Sequence, residues 1–291
     1  MAYKHKLSHI VDNFLTPEEA QSILPQQIVV TWFTNKLNTQ SVVHSHPYYE
    51  AILPIKGGAL YSSGGSLYQI NEGDMILFPR GVFHSGRYNI NTDISERLVT
   101  QIDGAFWNRT SIQMGLQHSS WEYTITIITA EMAGYWDLRG LFESMARTEK
   151  LPKRLQESVY QGQLTEFMCI LKCLEESSSF ETPPTANPLA AAAVKFLQDN
   201  YKDPLIGVND VADYCFVSRE HLSRIFKEYT MQSVHGYLTT LRMQSARVFI
   251  SEGRNILEAS MESGFSDYSS FVKTFKKLYG ITPSEYRKSL R

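Results

Sequence analysis

Short alternating runs of apolar and polar residues dominate the first hundred positions. IVVTWF from Ile28, YYEAILPI from Tyr48, SLYQI from Ser66, DMILFP from Asp74 and ERLVTQI from Glu96 each read at a period near two. Glycine-rich or polar turns separate them, among them Gly57-Gly58 and Ser62-Ser63-Gly64-Gly65. That spacing predicts half-buried strands in an antiparallel barrel or sandwich. From 131 to 176 the period lengthens to that of a helix: Leu138, Leu141, Phe142 and Met145, then Leu155, Val159, Tyr160, Leu164, Phe167, Met168, Leu171 and Leu174. Two amphipathic helices are expected. Packing on the barrel would satisfy both apolar stripes, and the second helix could also supply a dimer seam.

Residues 175–188, EESSSFETPPTANP, interrupt both patterns with serines and prolines and read as a linker. Downstream everything is helical in period. Asn187-Pro188 offers a cap and a first-turn proline for a helix to about 200. Further helices are expected at 208–216, 218–229, 233–251, 257–263, 267–278 and 284–291. The fold class is α+β: a barrel domain with two amphipathic helices over 1–176, a linker over 177–187 and an all-α domain over 188–291.

The chain has 291 residues, 43% hydrophobic and 20% charged, enough for two packed cores and too few charges for a disordered chain. The amino terminus MAYKHKLSHIVDNFLTPEEA lacks the continuous apolar stretch of a signal peptide, and no run reaches the ~20 apolar residues of a membrane span. A cytoplasmic protein with no membrane partner is expected. Of the three cysteines, Cys169 and Cys173 sit four apart in a helical stretch, and thiols packed as small apolar residues are expected rather than a disulfide or a zinc site. Charge is uneven: residues 1–185 hold 14 Lys/Arg against 19 Asp/Glu, and residues 186–291 hold 14 against 11. The mildly basic last third suggests an anionic partner such as nucleic acid, though placement decides the field.

An internal repeat is more specific. A shift of 49 residues superimposes CFVSREHLSRIFKEY, from Cys215, on GFSDYSSFVKTFKKL, from Gly264. Phe216 falls on Phe265, Leu222 on Phe271, Arg224 on Lys273, Phe226 on Phe275, Lys227 on Lys276 and Tyr237 on Tyr286. Each unit is a short helix, a turn and a second helix opened by a capping residue, Ser218 or Asp267, which is the layout of a helix-turn-helix. The second helix of each would read DNA. Gly264 suits the turn because glycine tolerates positive φ, whereas Cys215 lacks that freedom. Leu222, Phe226, Phe271 and Phe275 fall on the inward face.

These residues carry a family resemblance. Residues 188–291 resemble the DNA-binding domain of the AraC/XylS transcription regulators, through SREHLSRIFKEY and GFSDYSSFVKTFKKLYGITPSEYR. Met231 stands where the first unit usually has the glycine seen here as Gly280. By matching position, the resemblance implies DNA contacts from Arg219, Glu220, Ser223 and Arg224 in the first reading helix. In the second it implies Tyr268, Ser269, Ser270 and Lys273. Arginine can pair with guanine in two bonds, glutamate can accept from cytosine, and serine or tyrosine can meet base or phosphate.

The first domain resembles the cupin-type effector domain that many members carry. His44, His46 and Glu50 in VVHSHPYYEAILPIKG, and His84 in GDMILFPRGVFHSGRYN, follow the spacing of the two cupin motifs. Asn38 stands where the first motif usually has glycine, and Tyr88 where the second usually has asparagine, with Asn89 one place late. Side chains at i and i+2 of a strand share a face, so His44 and His46 could point together into a barrel. Three imidazoles and a carboxylate could hold a divalent transition metal. The expectation is that they hydrogen-bond a polyhydroxylated ligand or serve the structure, with no metal. Trp32, Tyr48, Tyr49 and Phe83 could form aromatic walls, and Arg80 could pair with a carboxylate.

The leading expectation is a ligand-responsive regulator that binds promoter DNA as a homodimer. Its effector would be a sugar or another small polar metabolite, it would require no cofactor, and RNA polymerase would be a further partner. A metal-dependent cupin enzyme with an accessory helical module, and an effector-independent DNA binder, are the alternatives. No local Ser-His-Asp signature, phosphate loop or GxGxxG fingerprint proposes catalysis, so no enzyme is expected.

Overall fold

The computed structural model describes residues 27–36, 40–88, 94–181 and 184–290. The amino-terminal stretch expected to lack a signal peptide, Asn38, Asn89, Arg291 and part of the 177–187 linker lie outside the described residues.

Eight strands are described: β1 (Ile28–Lys36), β2 (Tyr48–Lys56), β3 (Ala59–Ser63), β4 (Ser66–Ile70), β5 (Met75–Phe78), β6 (Ser85–Tyr88), β7 (Ile94–Asp103) and β8 (Thr126–Ile128). They form two antiparallel sheets, β1-β7-β2-β5-β8 and β4-β3-β6. Period-two alternation sorts the side chains of the larger sheet. Ile52, Ile76, Phe78 and Val99 face the smaller sheet and join Tyr61, Tyr68, Ile70 and Tyr88 in the barrel interior. Tyr49, Ala51, Leu53, Leu77, Leu98 and Ile102 face outward beneath helices. The helices are α1 (Gly104–Met114), α2 (Ala130–Tyr135), α3 (Leu138–Thr148) and α4 (Lys153–Glu176).

The layer departs from the expected pair. Residues 131–176 form three helices, because Trp136 and Asp137 break the first; Asp137 adopts φ 46 and caps α3 through Gly140 N–H. The fourth helix, α1, follows β7 directly on the Asp103 cap. Strands β3, β6 and β8 are additions, and Ser62 and Ser63 belong to β3, so the turn is Gly64-Gly65 alone, both at positive φ as a tight hairpin requires. The apolar stripe of α4 from Tyr160 to Leu174 is buried on the barrel, while Leu155 and Val159 stay exposed. Cys169 and Cys173 are exposed on that helix, contrary to the expectation of packed thiols, because Phe167, Met168, Ile170 and Leu171 take the inward face.

Seven helices make up the remainder: α5 (Pro188–Asn200), α6 (Val208–Tyr214), α7 (Arg219–Thr230), α8 (Val234–Ser251), α9 (Ile256–Glu262), α10 (Tyr268–Tyr279) and α11 (Pro283–Ser289). The long α8 joins two small cores. Leu222 and Phe226 are buried against Leu197, Val211 and Tyr237 in one, and Phe271 and Phe275 against Met243, Ala246 and Tyr286 in the other. At the second turn Gly264 has φ +90 and lies against the carbonyls of Tyr201 and Lys202, where a Cβ has no room. The first turn solves the same problem one residue later. Cys215 is right-handed at φ −85, and Phe216 takes the left-handed position at φ 55 with its ring 93% exposed, whereas Phe265 packs on Phe271. The repeat therefore aligns the two phenylalanines without giving them the same place. Met231 takes the left-handed cap of α7 at φ 60, as Gly280 does for α10 at φ 73, a strain of about 1–2 kcal/mol that its buried side chain offsets.

The two domains are docked. Val43 and Phe83 of the barrel pack into the core formed by α5 to α8. Gln244 on α8 donates Nε2 to the Val43 carbonyl at 3.0 Å, Gln40 donates to the Met231 carbonyl at 2.9 Å, and Ser62 donates to the Tyr229 carbonyl. The start of α5 is held as well, since Asn187 N–H donates to the Gly65 carbonyl at 3.0 Å.

Candidate effector site and nucleic-acid interface

Residues 40–46 do not form a regular strand. They run beside β6, joined by an antiparallel bridge in which His44 and His84 exchange backbone hydrogen bonds of 2.8 and 2.9 Å. That bridge brings the two motif segments together, with the His44 and His84 ring centroids 4.4 Å apart and His46 and His84 at 5.1 Å. Glu50, on the inward face of β2, completes the group, and one ligating atom from each of the four lies within 4.8 Å of the others.

The hydrogen bonds fix what each imidazole presents. Nδ1 of His44 lies 3.0 Å from the Val42 carbonyl, Nδ1 of His46 2.9 Å from that of Tyr48, and Nδ1 of His84 3.0 Å from that of Val82. A carbonyl only accepts, so all three Nδ1 atoms carry hydrogen and the Nε2 atoms remain for other partners. Glu50 Oε2 stands 3.3 Å from His46 Nε2 and 3.2 Å from His84 Nε2. Burial works to raise the Glu50 pKa, but His46 and His84 outweigh it and hold the carboxyl well below its usual range. An ionised carboxylate facing imidazole lone pairs is repulsive, so each such contact requires a proton or a cation between the partners. Burial, with the neighbouring His84 and His46, pushes His44 down to about 3 and leaves it neutral.

Other predicted residues fall in different places. Tyr48 stacks on His46 at 3.9 Å and belongs to the cluster. Trp32 does not: with Ile28 and Val30 it lies on the outward face of β1, 44% exposed, with the Arg139 guanidinium 5.6 Å from its ring centroid. Tyr49 also faces outward, stacked on Trp107 at 4.0 Å. Phe83 packs into the helical domain. Arg80 is exposed on the turn after Pro79 and lines a separate pocket with Tyr49, away from the histidines.

Two cluster members escape the motif spacing. Gln101 donates to Glu50 Oε1 at 2.9 Å and to Tyr48 Oη at 3.0 Å, and Phe78 stacks on His84 at 4.0 Å. The signal for Gln101 was present: in ERLVTQI it shares the inward face with Val99, where a polar side chain needs a partner. On the other side of the histidine segment, Gln244 bonds the Val43 carbonyl and its Oε1 lies 3.5 Å from Ser45 Oγ. Arg247, one turn along α8, acts electrostatically on Tyr48 and lies 5.3 Å from the Tyr279 ring of α10.

The two helices expected to read DNA, α7 and α10, present the expected residues outward. Ser218 caps α7 by accepting from His221 N–H, and Arg219, Glu220, Ser223 and Arg224 are all exposed. Asp267 caps α10 by accepting from Ser269 and Ser270 N–H at 3.3 and 2.6 Å, and the Ser270 bond holds its carboxyl below the usual range. Tyr268, Ser269, Ser270 and Lys273 are exposed. Docking on the barrel engages the far end of α7, at Tyr229 and Met231, and leaves this face open.

Residues 33–181 match the AraC-like ligand binding domain family, and residues 211–289 match a helix-turn-helix domain family. Among curated proteins, the Msm operon regulatory protein of Streptococcus mutans is 34% identical over 122 residues, 42% of each chain. The raffinose operon transcriptional regulatory protein RafR of Pediococcus pentosaceus is 34% identical over 99 residues, 34% of this chain and 35% of that one. The chain thus spans less than about half the length of either relative. A longer match, 25% identical over 237 residues, covers 78% of this chain and 79% of the uncharacterized HTH-type transcriptional regulator YbfI of Bacillus subtilis. Among the described residues no helix is long and apolar enough to cross a membrane.

Proposed function

Because the chain belongs to the AraC family of transcription regulators, we propose that it is a ligand-responsive regulator whose barrel senses a small polar molecule and whose α7 and α10 read successive major grooves of promoter DNA. The family is one of regulators and not of enzymes. The observation that carries the reading is the Gln244 bond: the segment bearing His44 and His46 is tied directly to α8, the helix that joins the two reading units. A ligand that reshapes that segment changes the seat of both reading helices, and coupling of this kind typically amounts to 1–3 kcal/mol.

The chemistry of the cluster supports a sugar or similar effector, since imidazole, amide, phenol and carboxylate groups together both donate and accept. The raffinose operon named for one relative agrees with this, although a 99-residue match is too short to include the whole effector domain. A homodimer is supported by the exposed Leu155 and Val159 on α4. RNA polymerase is the expected further partner of a promoter-bound activator. Footprinting on the adjoining promoter tests the reading: one chain should protect two turns of duplex with a fixed orientation, with half-sites about 34 Å apart. Symmetric protection with no orientation preference would refute it.

One observation favours a second reading of the same cluster. Three imidazoles and a carboxylate converge within 4.8 Å, and each Nε2 contact with the ionised Glu50 is made through either a proton or a cation. His44, His46, His84 and Glu50 would then hold a divalent transition metal, with open coordination positions for the effector. Elemental analysis of the purified chain, with thermal stability before and after chelation, decides between the two. Metal near one equivalent and a lower melting temperature on chelation support the metal; no metal and no change leave hydrogen bonding alone.

A further inference from the structure

A pocket lies beside the 79–82 turn, on the outward side of β2 to which Tyr49 belongs. Its volume is about 430 Å³, and Tyr49, Arg80, Val82, Ile112, Glu122 and Tyr123 form much of its wall. Two opposite charges face it without meeting. The Glu122 carboxylate accepts from Trp107 Nε1 at 2.9 Å, Ser111 Oγ at 2.8 Å and Tyr49 Oη at 2.6 Å. All three donors are neutral, and among the described residues no cation lies within ion-pair distance of it. Arg80 is exposed, with its stem lying over Gly104 at the start of α1, and among the described residues it too has no ion-pair partner. The Tyr49 hydroxyl sits in the field of both charges.

We propose that this pocket binds a small zwitterion of the α-amino-acid type. The carboxylate pairs with the Arg80 fork, the ammonium lies toward the Glu122 oxygen that accepts only one bond, and an apolar side chain rests on Tyr49, Val82 and Ile112. A simple anion would meet the Glu122 charge and a simple cation the Arg80 charge, so only a molecule carrying both signs satisfies the two walls. The volume lies near the lower end of the roughly 300–1,000 Å³ of small-molecule pockets, which suits a metabolite of this size. The segment that forms one wall of the pocket is also bonded to the histidine cluster. Gly81 N–H donates to the His46 carbonyl at 2.8 Å, and the Val82 carbonyl accepts from His84 Nδ1 at 3.0 Å. A ligand braced on Arg80 and Val82 therefore bears on the backbone that orients two of the three histidines. Binding itself is independent of the regulatory reading, and only its consequence for DNA rests on that reading.

The test is isothermal titration calorimetry on the full chain with L-leucine, 4-methylpentanoate, which lacks the ammonium, and 3-methylbutylamine, which lacks the carboxylate. Saturable binding of leucine is expected, weakened about tenfold or more for either analogue and for Arg80→Gln, the scale of one lost charge-assisted contact. Arg80→Lys, which keeps the charge without the fork, should fall between. No saturable heat with leucine overturns the proposal, as does equal affinity in Arg80→Gln. Equal binding of 4-methylpentanoate overturns the role of Glu122. Binding retained in Arg80→Gln but lost in the His44→Gln/His84→Gln double variant overturns it by moving the ligand into the barrel. DNA binding measured on the same variants by fluorescence anisotropy keeps failure of this site distinct from failure of the regulatory reading.

Discussion

Gln244→Ala should uncouple the two domains. The side chain is buried on α8 and its amide is the donor to the Val43 carbonyl, one residue before His44. Alanine leaves that carbonyl facing an apolar side chain, and no water-sized polar group replaces the amide, so the cost is that of an unsatisfied buried acceptor, about 1–3 kcal/mol. Of the remaining bonds between the domains, those from Ser62 and Asn187 lie away from the histidine segment, and that from Gln40 holds its start, four residues before His44. The loss should lower the melting temperature by a few degrees. It should also raise amide exchange in residues 43–46 and in α8 together, since each loses its link to the other. Gln198→Ala is the control: its amide lies 3.4 Å from Tyr237 Oη, within the helical domain, so exchange in residues 43–46 should stay as in the native chain. If Gln244→Ala melts at the native temperature and neither segment exchanges faster, the docking does not run through this bond, and the route from the histidines to the reading helices lies elsewhere.

Three further outcomes are expected. Arg224→Ala should weaken DNA binding by roughly 1–3 kcal/mol with one base position relaxed, and Lys273→Ala should weaken it uniformly and reduce the salt slope by about one, both with unchanged helical circular dichroism; unchanged affinity in both would remove α7 and α10 as readers. In chelator-treated protein, stability should fall as pH drops from about 6.5 toward 3, because burial and the neighbouring His84 and His46 hold His44 down to about 3 while the unfolded chain takes up the proton earlier. The loss is of the order of a few kcal/mol, and His44→Gln should flatten this part of the urea-unfolding pH profile; an equally steep profile in the variant refutes the assignment. Gly65→Ala should destabilise the docked form, since Gly65 has φ +82 and a Cβ there runs into the backbone at Ala191; native thermal stability would show that the hairpin and α5 are not seated together.

The helical domain was legible almost residue by residue because its signals are local. Ser218, Asp267, Asn187-Pro188 and the apolar spacing each act within one or two turns, so helix ends moved by no more than about two residues from the expected places. The barrel was legible only where a strand is buried on one face. Strands β3, β6 and β8 were missed because ALYSS, SGRY and TII are short and lack a clear alternation; β6 and β8 are defined by partners distant in sequence, β3 and β5. The same limit explains Trp32. Its alternation with Val30 and Phe33 was visible, but which face is inner depends on where α1 to α4 cover the sheet, and no local pattern encodes that.

The site divides along this line too. His44, His46, Glu50 and His84 are brought together by a backbone bridge between two segments, each of which carried its own spacing, so the motif pair was enough to find them. Gln244 and Arg247 could not be found from spacing, because they reach the cluster from another domain and through side chains that in isolation read as polar positions on a long helix. Their placement changes what the cluster is for. Four ligating groups enclosed within a barrel could serve binding alone, but on the proposed reading the hydrogen bond from their supporting segment to α8 is the route by which a change of shape there would reach α7 and α10. On that reading the Val43 carbonyl is the atom through which the two domains are coupled.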